Sequence, residues 1–129
     1  MQRINIQSGS KWEEQVGYSR AVRLGNMIEV SGTVASDEEG HVVAPGNPFE
    51  QTVYIYRKIE KALKELGASL EDVVRVRMFV TDISQWKEYA RGHAEFFLRI
   101  KPCNTMVEVS KLIEAGYLIE IEATAILRG

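Results

Sequence analysis

The stretch Lys101–Ile126, KPCNTMVEVSKLIEAGYLIEIEATAI, decides the fold of this chain. It contains two runs with the alternation of β-strands, Asn104–Val109 and Leu118–Ile126. In the second run one side collects Ile119, Ile121, Ala123 and Ala125, and the other collects Glu120, Glu122 and Thr124. A strand that buries one face normally keeps its carboxylates in water. We therefore expect the second face of this sheet to have a role beyond core packing, and we look for the function there.

The composition indicates one globular domain. With 129 residues the chain is long enough for a single hydrophobic core, and we expect one domain over residues 1–129. Its net charge of −2 argues against a general nucleic-acid binder, which usually has a basic patch. No apolar run approaches about 18 residues, so no membrane span is predicted. The first residues lack the apolar core of a signal peptide, and the single Cys103 cannot form an internal disulfide. Both observations predict a cytoplasmic protein.

The N-terminal part predicts a strand followed by a hairpin. We expect a strand at Arg3–Gln7 and a loop at Ser8–Arg20. The hairpin strands are Ala21–Leu24 and Met27–Val34, with a two-residue turn at Gly25-Asn26. Strict alternation in the second hairpin strand predicts one face with Ile28, Val30, Gly32 and Val34, and another with Met27, Glu29, Ser31 and Thr33.

Two helices are predicted from capping residues and apolar periodicity. The first begins after Asn47, a good N-cap, with Pro48 in its first turn, and Gly67 ends it. The second runs from about Ser84 to Ile100. Its apolar side is predicted to comprise Trp86, Tyr89, Ala90, His93, Phe96, Phe97 and Ile100.

With a further strand at Val73–Thr81, the element order is β, ββ, α, β, α, ββ, which predicts an α+β fold: one mixed sheet with two helices on one face. The side that faces the helices is predicted to include Ile28, Val30, Val74, Val76, Met78, Val107, Ile119, Ile121 and Ala123. The open side is predicted to include Glu29, Ser31, Thr33, Arg75, Arg77, Asn104, Met106, Glu108, Glu120, Glu122 and Thr124. Because the open side mixes apolar groups with both charge signs, we expect it to pack against another subunit, with its arginines paired to its glutamates.

Five motifs together resemble one family. They are GNMIEVSG at Gly25–Gly32, FVTDI at Phe79–Ile83, FF at Phe96–Phe97, MVEV at Met106–Val109 and IEIEATA at Ile119–Ala125. In this order, over nearly the whole chain, they are similar to the Rid family, also called YjgF/YER057c/UK114 or endoribonuclease L-PSP. The resemblance implies a chorismate-mutase-like α+β fold. It also implies a homotrimer whose sheets face inward and whose three ligand clefts lie between subunits.

The resemblance further implies a chemistry. Active family members hydrolyse reactive enamines and imines, such as 2-aminoacrylate, to 2-oxo acids and ammonia, and they need no cofactor. An arginine holds the substrate carboxylate, for which its planar fork is suited. A glutamate orients the water that attacks the imine carbon.

The family positions map onto this chain with one main departure. The arginine falls on Asn104, which supplies no charge, so the chain resembles an arginine-lacking branch. The other positions fall on Glu120 for the glutamate, Tyr18 for the N-terminal tyrosine, Ser31 for the hydroxyl, Ala90 for the helix asparagine and Met106 for the cysteine. Cys103 precedes Asn104 and becomes a further candidate beside the expected cleft.

Two questions stay open from the sequence. A replacement cation is sought among Lys101, Arg99, Arg91 and Arg20, for each of which a solvated surface position is the alternative. Glu120 is the candidate catalytic residue, and an ion pair at the trimer interface is its alternative role. No metal site is predicted, because His41 and its acidic neighbours offer too few converging ligands.

Three functions are consistent with these residues. The first is an enzyme that hydrolyses a small imine or enamine, with Glu120 positioning water and Tyr18, Ser31 and Asn104 binding the substrate. The second is a non-catalytic trimer whose clefts bind a small metabolite. The third is a ribonuclease, and the negative net charge argues against it.

Overall fold

The computed structural model describes residues 1–128, which form one mixed sheet of six strands with three helices. The strands are β1 Arg3–Ile6, β2 Ala21–Leu24, β3 Met27–Val34, β4 Val73–Val80, β5 Cys103–Glu108 and β6 Ile119–Ile126. Their order in the sheet is β1-β2-β3-β6-β4-β5. β4 and β5 are parallel, whereas the other neighbours are antiparallel. The predicted α+β class and mixed sheet are confirmed.

The helices are α1 Lys11–Val16, α2 Pro48–Glu65 and α3 Trp86–Phe97. α2 begins as predicted, because the Asn47 side chain accepts a hydrogen bond from the Glu50 N–H at 3.0 Å. Gly67, with a φ of 83°, follows its last turn. α3 is shorter than predicted, since a 3-10 turn occupies Ile83–Gln85.

The helix α1 lies within Ser8–Arg20, where the sequence pattern predicts a loop. Its six residues are too few to show apolar periodicity, and the helix depends on its ends. Ser10 caps it by accepting from the Trp12 N–H, and Gly17 ends it with a φ of 95°. The left-handed conformation at Gly17 is one that glycine adopts at little cost.

α2 and α3 cover one face of the sheet and bury the hydrophobic core against it. Fully buried core residues include Ile28, Ile55, Tyr56, Ile59, Val76, Met78, Tyr89 and Ile121. Trp86 was expected in this core, but it is 51% exposed, because it stands at the first position of α3 beyond the edge of the packing. That expectation was wrong.

A β-bulge in β3 changes which side chains reach the open face. Val30 pairs with Ala123 and Thr33 pairs with Ile121, so two residues of β3 stand opposite one of β6. The extra residue reverses the alternation beyond it. Thr33 is therefore 1% exposed on the helix side, and Val34 pairs with Glu120 on the open side. The predicted faces of Thr33 and Val34 were wrong.

β4 has a similar irregularity at its start, between Val73 and Arg75. Val73 is buried in the core, whereas Val74 is 42% exposed. The prediction that Val74 faces the helices was therefore wrong. From Arg75 onward the predicted alternation holds, with Val76 and Met78 buried and the arginines outside.

The face of β5 was also predicted incorrectly. Met106 pairs with the buried Met78 and packs against the core, so Asn104, Met106 and Glu108 lie on the helix side. Cys103, Thr105 and Val107 lie on the open side. β5 is an edge strand with little burial, and Met106 and Val107 are both apolar. The sequence pattern therefore could not fix the side, and a shift of one residue exchanges the two faces.

Candidate functional site

The open face of the sheet is polar, and side chains of neighbouring strands pair with one another across it. Arg77 pairs with Glu122 at 3.3 Å, as expected for this face. Arg75 instead donates to the Thr105 hydroxyl at 3.1 Å. The Thr124 hydroxyl donates to Glu29. These contacts lie within one chain, so both charge signs are already partly matched on this face.

A groove of about 880 Å³ opens on this face beside α1. Tyr18 and Ser31, two of the predicted substrate-binding residues, both line it. The Ser31 hydroxyl donates to the Ser19 carbonyl at 2.7 Å, so the hydroxyl is fixed in orientation. Tyr18 is 38% exposed directly after the end of α1. The structure thus brings these two candidates together.

Glu120 lies over the bulge of β3. A Cβ atom at position 32 would stand 2.0 Å from Glu120 Oε2, so only glycine leaves space for this carboxyl group in its observed position. Glu120 is half-buried. Burial raises the pKa of the Glu120 carboxyl group, the charge of Arg20 lowers it, and the charge of Glu122 raises it. A half-buried carboxyl group with these neighbours is suited to hold a water molecule or move a proton.

Arg20 is the candidate cation whose charge acts on Glu120. Its Nη2 donates to the Gly32 carbonyl at 2.6 Å, and its Nη1 lies 4.0 Å from Glu13 Oε2. Glu13 is 3% exposed and accepts a hydrogen bond from the Ser8 N–H at 2.8 Å. Arg20 Nε is buried and has no hydrogen-bond partner within residues 1–128.

The other three candidate cations occupy surface positions. Arg99 pairs with Glu71, and Arg91 pairs with Glu88 at 2.8 Å, and all four side chains are well exposed. Lys101 is exposed and has a positive φ of 54° after the end of α3. In the single chain, Lys101, Arg99 and Arg91 therefore occupy the solvated surface positions that were the alternative to a role in the site.

We call the part of the open sheet face that holds Ser31, Gly32 and Glu120 the corner. The candidates on β5 lie apart from this corner. β6 and β4 separate β5 from β3, a distance of about 14 Å at the usual strand spacing. Asn104 is exposed on the helix side of the edge strand, and Met106 beside it packs against the core. Cys103 is exposed on the open side. One chain therefore brings Tyr18, Ser31 and Glu120 to one region and leaves Cys103, Asn104 and Met106 at the opposite edge.

Sequence reasoning missed Glu13, Gly32 and Lys58 as members of this corner. Lys58, on α2, donates through Nζ to the carbonyls of Val34 at 2.9 Å and Ser36 at 3.0 Å. Burial lowers the pKa of the Lys58 ammonium group to about 8, and the charge of Arg20 acts in the same direction. A lysine beside the apolar stripe of α2 was the available signal. The sequence contained no signal for Glu13, because Glu13 is positioned by helix α1, which was not predicted.

The fold and the open, polar sheet face define a class of small α+β proteins, and comparison with known proteins gives the family. A model of the endoribonuclease L-PSP family matches residues 9–127. The chain belongs to this family, which is the YjgF/YER057c/UK114 or Rid family. The resemblance found in the sequence motifs is therefore confirmed.

Relatives of known structure and sequence agree with this assignment. A YjgF/YER057c/UK114 family member from Mycobacterium tuberculosis is 46% identical, with a TM-score of 0.89 over 98% of this chain and 100% of that one. A protein of Thermotoga maritima described as a putative endoribonuclease is 30% identical, with a TM-score of 0.86 over the full length of both chains. A RutC family protein of Pyrococcus abyssi is 38% identical over 108 residues, 84% of each chain.

Within residues 1–128, none of the helices has the length and apolar character that crossing a membrane requires.

Proposed function

We propose that this protein is a cofactor-free hydrolase of small imines or enamines, acting in clefts between the subunits of a homotrimer. The observation that supports it most is the half-buried Glu120 carboxyl group over Gly32. Gly32 follows Ser31, which lines the groove, although Glu120 itself is not among the lining residues. Partial burial makes a carboxylate a better acceptor for the proton of an attacking water. In this proposal Glu120 holds that water against the imine carbon.

The substrate is held by residues from two subunits. Tyr18 and Ser31 line the groove of one chain. Cys103, Asn104 and Met106 lie at the opposite sheet edge, and none of them lines the groove of its own chain. A second copy that places its β5 edge against the groove brings the two sets together. The exposed apolar side chains of the open face, among them Leu24, Met27 and Ile126, support such packing.

The experiment is an imine-decay assay. 2-Aminoacrylate and a bulkier 2-imino acid are generated in situ, and their decay is followed with and without the protein. We expect turnover by the wild type and a loss of about 10²-fold or more in Glu120→Gln, which keeps the shape of the side chain. Glu88→Gln, at an exposed position on α3, is the matched control. Equal rates for wild type and Glu120→Gln contradict the role of Glu120.

A non-catalytic metabolite-binding trimer is the second candidate, and Asn104 favours it. The side chain at this position has no charge, so the clamp for a substrate carboxylate is weaker than the family pattern implies. Asn104→Arg separates the two functions. If the wild type is inactive and Asn104→Arg gains turnover, the scaffold is intact and the natural ligand is not a 2-imino acid. If both are inactive, the binding function is favoured.

A further inference from the structure

Arg20 stands where β2 stops covering β3. Ala21, the first residue of β2, pairs with Val30, so the bulge that follows in β3 lies beyond the last β2 pair. Beyond that last pair, Arg20 makes the hydrogen bonds to β3. Its backbone carbonyl accepts from the Ser31 N–H at 3.0 Å, and its Nη2 donates to the Gly32 carbonyl at 2.6 Å.

The guanidinium group of Arg20 is also fixed from its other side. Glu13 Oε2 lies 4.0 Å from Nη1. At the other end of the residue, the backbone N–H of Arg20 donates to the Ile6 carbonyl at 2.8 Å. Only 15% of the Arg20 side chain is exposed. A long side chain that is held at both ends and mostly buried keeps its charge at one place, at the carbonyl of the same Gly32 over which the Glu120 carboxyl group lies.

We propose that Arg20 is a positioning residue of the candidate site. It fixes the backbone carbonyl of Gly32, over which Glu120 lies, and it places a positive charge on that side of the strand that favours the ionised form of the Glu120 carboxyl group. This inference rests on the proposed role of Glu120, because a protonated carboxyl group cannot accept a proton from water.

Among the charged groups around Glu120, Arg20 is the cation whose charge lowers the pKa of the Glu120 carboxyl group. Charged groups on the elements around Glu120 include Arg20 before β2, Glu13 on α1, Glu29 on β3, Lys58 on α2, Arg75 and Arg77 on β4, and Glu122 on β6. Arg77 is paired with Glu122, and the Lys58 ammonium group is bonded to main-chain carbonyls. Burial and the charge of Glu122 raise the pKa of Glu120, whereas the charge of Arg20 lowers it.

A purely structural role for Arg20, closing the open end of β3, predicts a different result. It predicts that replacement lowers stability and leaves the titration of Glu120 unchanged. The test is an NMR titration of the Glu120 carboxyl carbon in wild type, Arg20→Gln and Arg20→Lys. We expect the midpoint to move to higher pH in Arg20→Gln and to return most of the way in Arg20→Lys. Arg57→Gln, at an exposed position on α2, is the matched control and is expected to leave the midpoint unchanged. An unchanged midpoint in folded Arg20→Gln overturns the proposal.

A second measurement uses the wild-type protein, in case Arg20→Gln does not fold. The Nε–H proton of Arg20 is buried, so its NMR signal is expected to exchange slowly enough to follow. We expect this signal to shift with the same midpoint as the Glu120 carboxyl carbon, and the shift to vanish in Glu120→Gln. A signal that stays constant through the Glu120 titration overturns the proposal.

Both titrations are independent of turnover. If no imine is hydrolysed but the two midpoints coincide, the proposed function fails and the coupling of Arg20 to Glu120 stands. If imines are hydrolysed but Arg20→Gln leaves the Glu120 midpoint and the pH profile of turnover unchanged, the proposed function stands and this inference fails.

Discussion

The Tyr56 hydroxyl lies 2.6 Å from Nδ1 of His93, in the packing between α2 and α3. Tyr56 is fully buried, and His93 is half-buried with its ring stacked on Phe97 at a centroid distance of 4.9 Å. This arrangement agrees with the predicted place of His93 on the apolar side of the second helix. It also places a titratable ring inside the helix packing.

We predict that this ring makes the protein less stable in mild acid. Burial lowers the pKa of His93, so the unfolded chain binds the proton more readily than the folded one. The contribution of His93 to the free energy of unfolding is then constant above about pH 6.5 and falls as the pH drops toward the lowered pKa. Denaturant unfolding between pH 7.5 and 5 measures this slope. We expect His93→Gln to flatten it and His41→Gln, at an exposed loop position, to leave it unchanged. If His93→Gln shows the same slope as the wild type, the loss of stability in mild acid comes from a group other than His93.

We predict that Gly32→Ala displaces Glu120 and leaves the fold intact. The added Cβ atom meets the end of a flexible side chain, so Glu120 moves and the backbone stays. Turnover is expected to fall about as far as in Glu120→Ala. In a double-mutant cycle on stability, the combination of both substitutions should recover about 1 kcal/mol relative to the sum of the single changes. Additive effects would mean that the two groups do not meet in solution.

Gln51 is predicted to be one of the most sensitive core positions. Its buried amide accepts from the Leu118 N–H at 2.9 Å and donates to the Gly116 carbonyl at 3.0 Å. Gln51→Ala leaves both main-chain groups unpaired and should lower the free energy of unfolding by about 3 kcal/mol, measured by denaturant unfolding. Glu60→Ala on the same helix is the comparison, with an expected change below about 0.5 kcal/mol. Similar losses for the two variants would contradict this role.

The pair of Arg77 and Glu122 provides a test of assembly. If the open faces meet in a trimer, Arg77→Glu places two carboxylates side by side at the interface, and the assembly should dissociate. Analytical ultracentrifugation is expected to give three times the 14.6 kDa chain mass for the wild type and a lower mass for Arg77→Glu. The exchanged pair, Arg77→Glu with Glu122→Arg, should restore the wild-type mass. A monomeric wild type rejects the trimer itself.

The sequence predicted the elements well where burial and capping agree. The hairpin of β2 and β3, the start of α2 at Asn47 and the alternation of β6 follow the predicted bounds closely, because each combines a turn or cap with a strong apolar pattern. The faces of Thr33, Val74 and Met106 could not be predicted. Two irregularities and an edge strand decide them, and the apolar pattern contains no signal for an extra residue.

The candidate site was predictable in part for a physical reason. Glu120, Tyr18 and Ser31 follow from motif positions; the structure places Tyr18 and Ser31 in one groove and Glu120 over Gly32, the residue after Ser31. The contact between Arg20 and Gly32 depends on where β2 ends relative to the bulge in β3, which is a property of the whole sheet. The environment of Glu13 depends on a six-residue helix that the sequence pattern did not reveal.

The two cations at the open end of β3 have a consequence for the behaviour of the protein at high concentration. An uncovered strand edge offers carbonyl groups to any foreign strand, which is a common start of aggregation. Arg20 occupies the carbonyl of Gly32, and Lys58 occupies those of Val34 and Ser36. With these acceptors taken, a foreign strand has no free carbonyl of Gly32, Val34 or Ser36 to which it could hydrogen-bond. The Arg20 and Lys58 side chains thus also disfavour the pairing of this strand edge with a second copy of the chain in the wrong register.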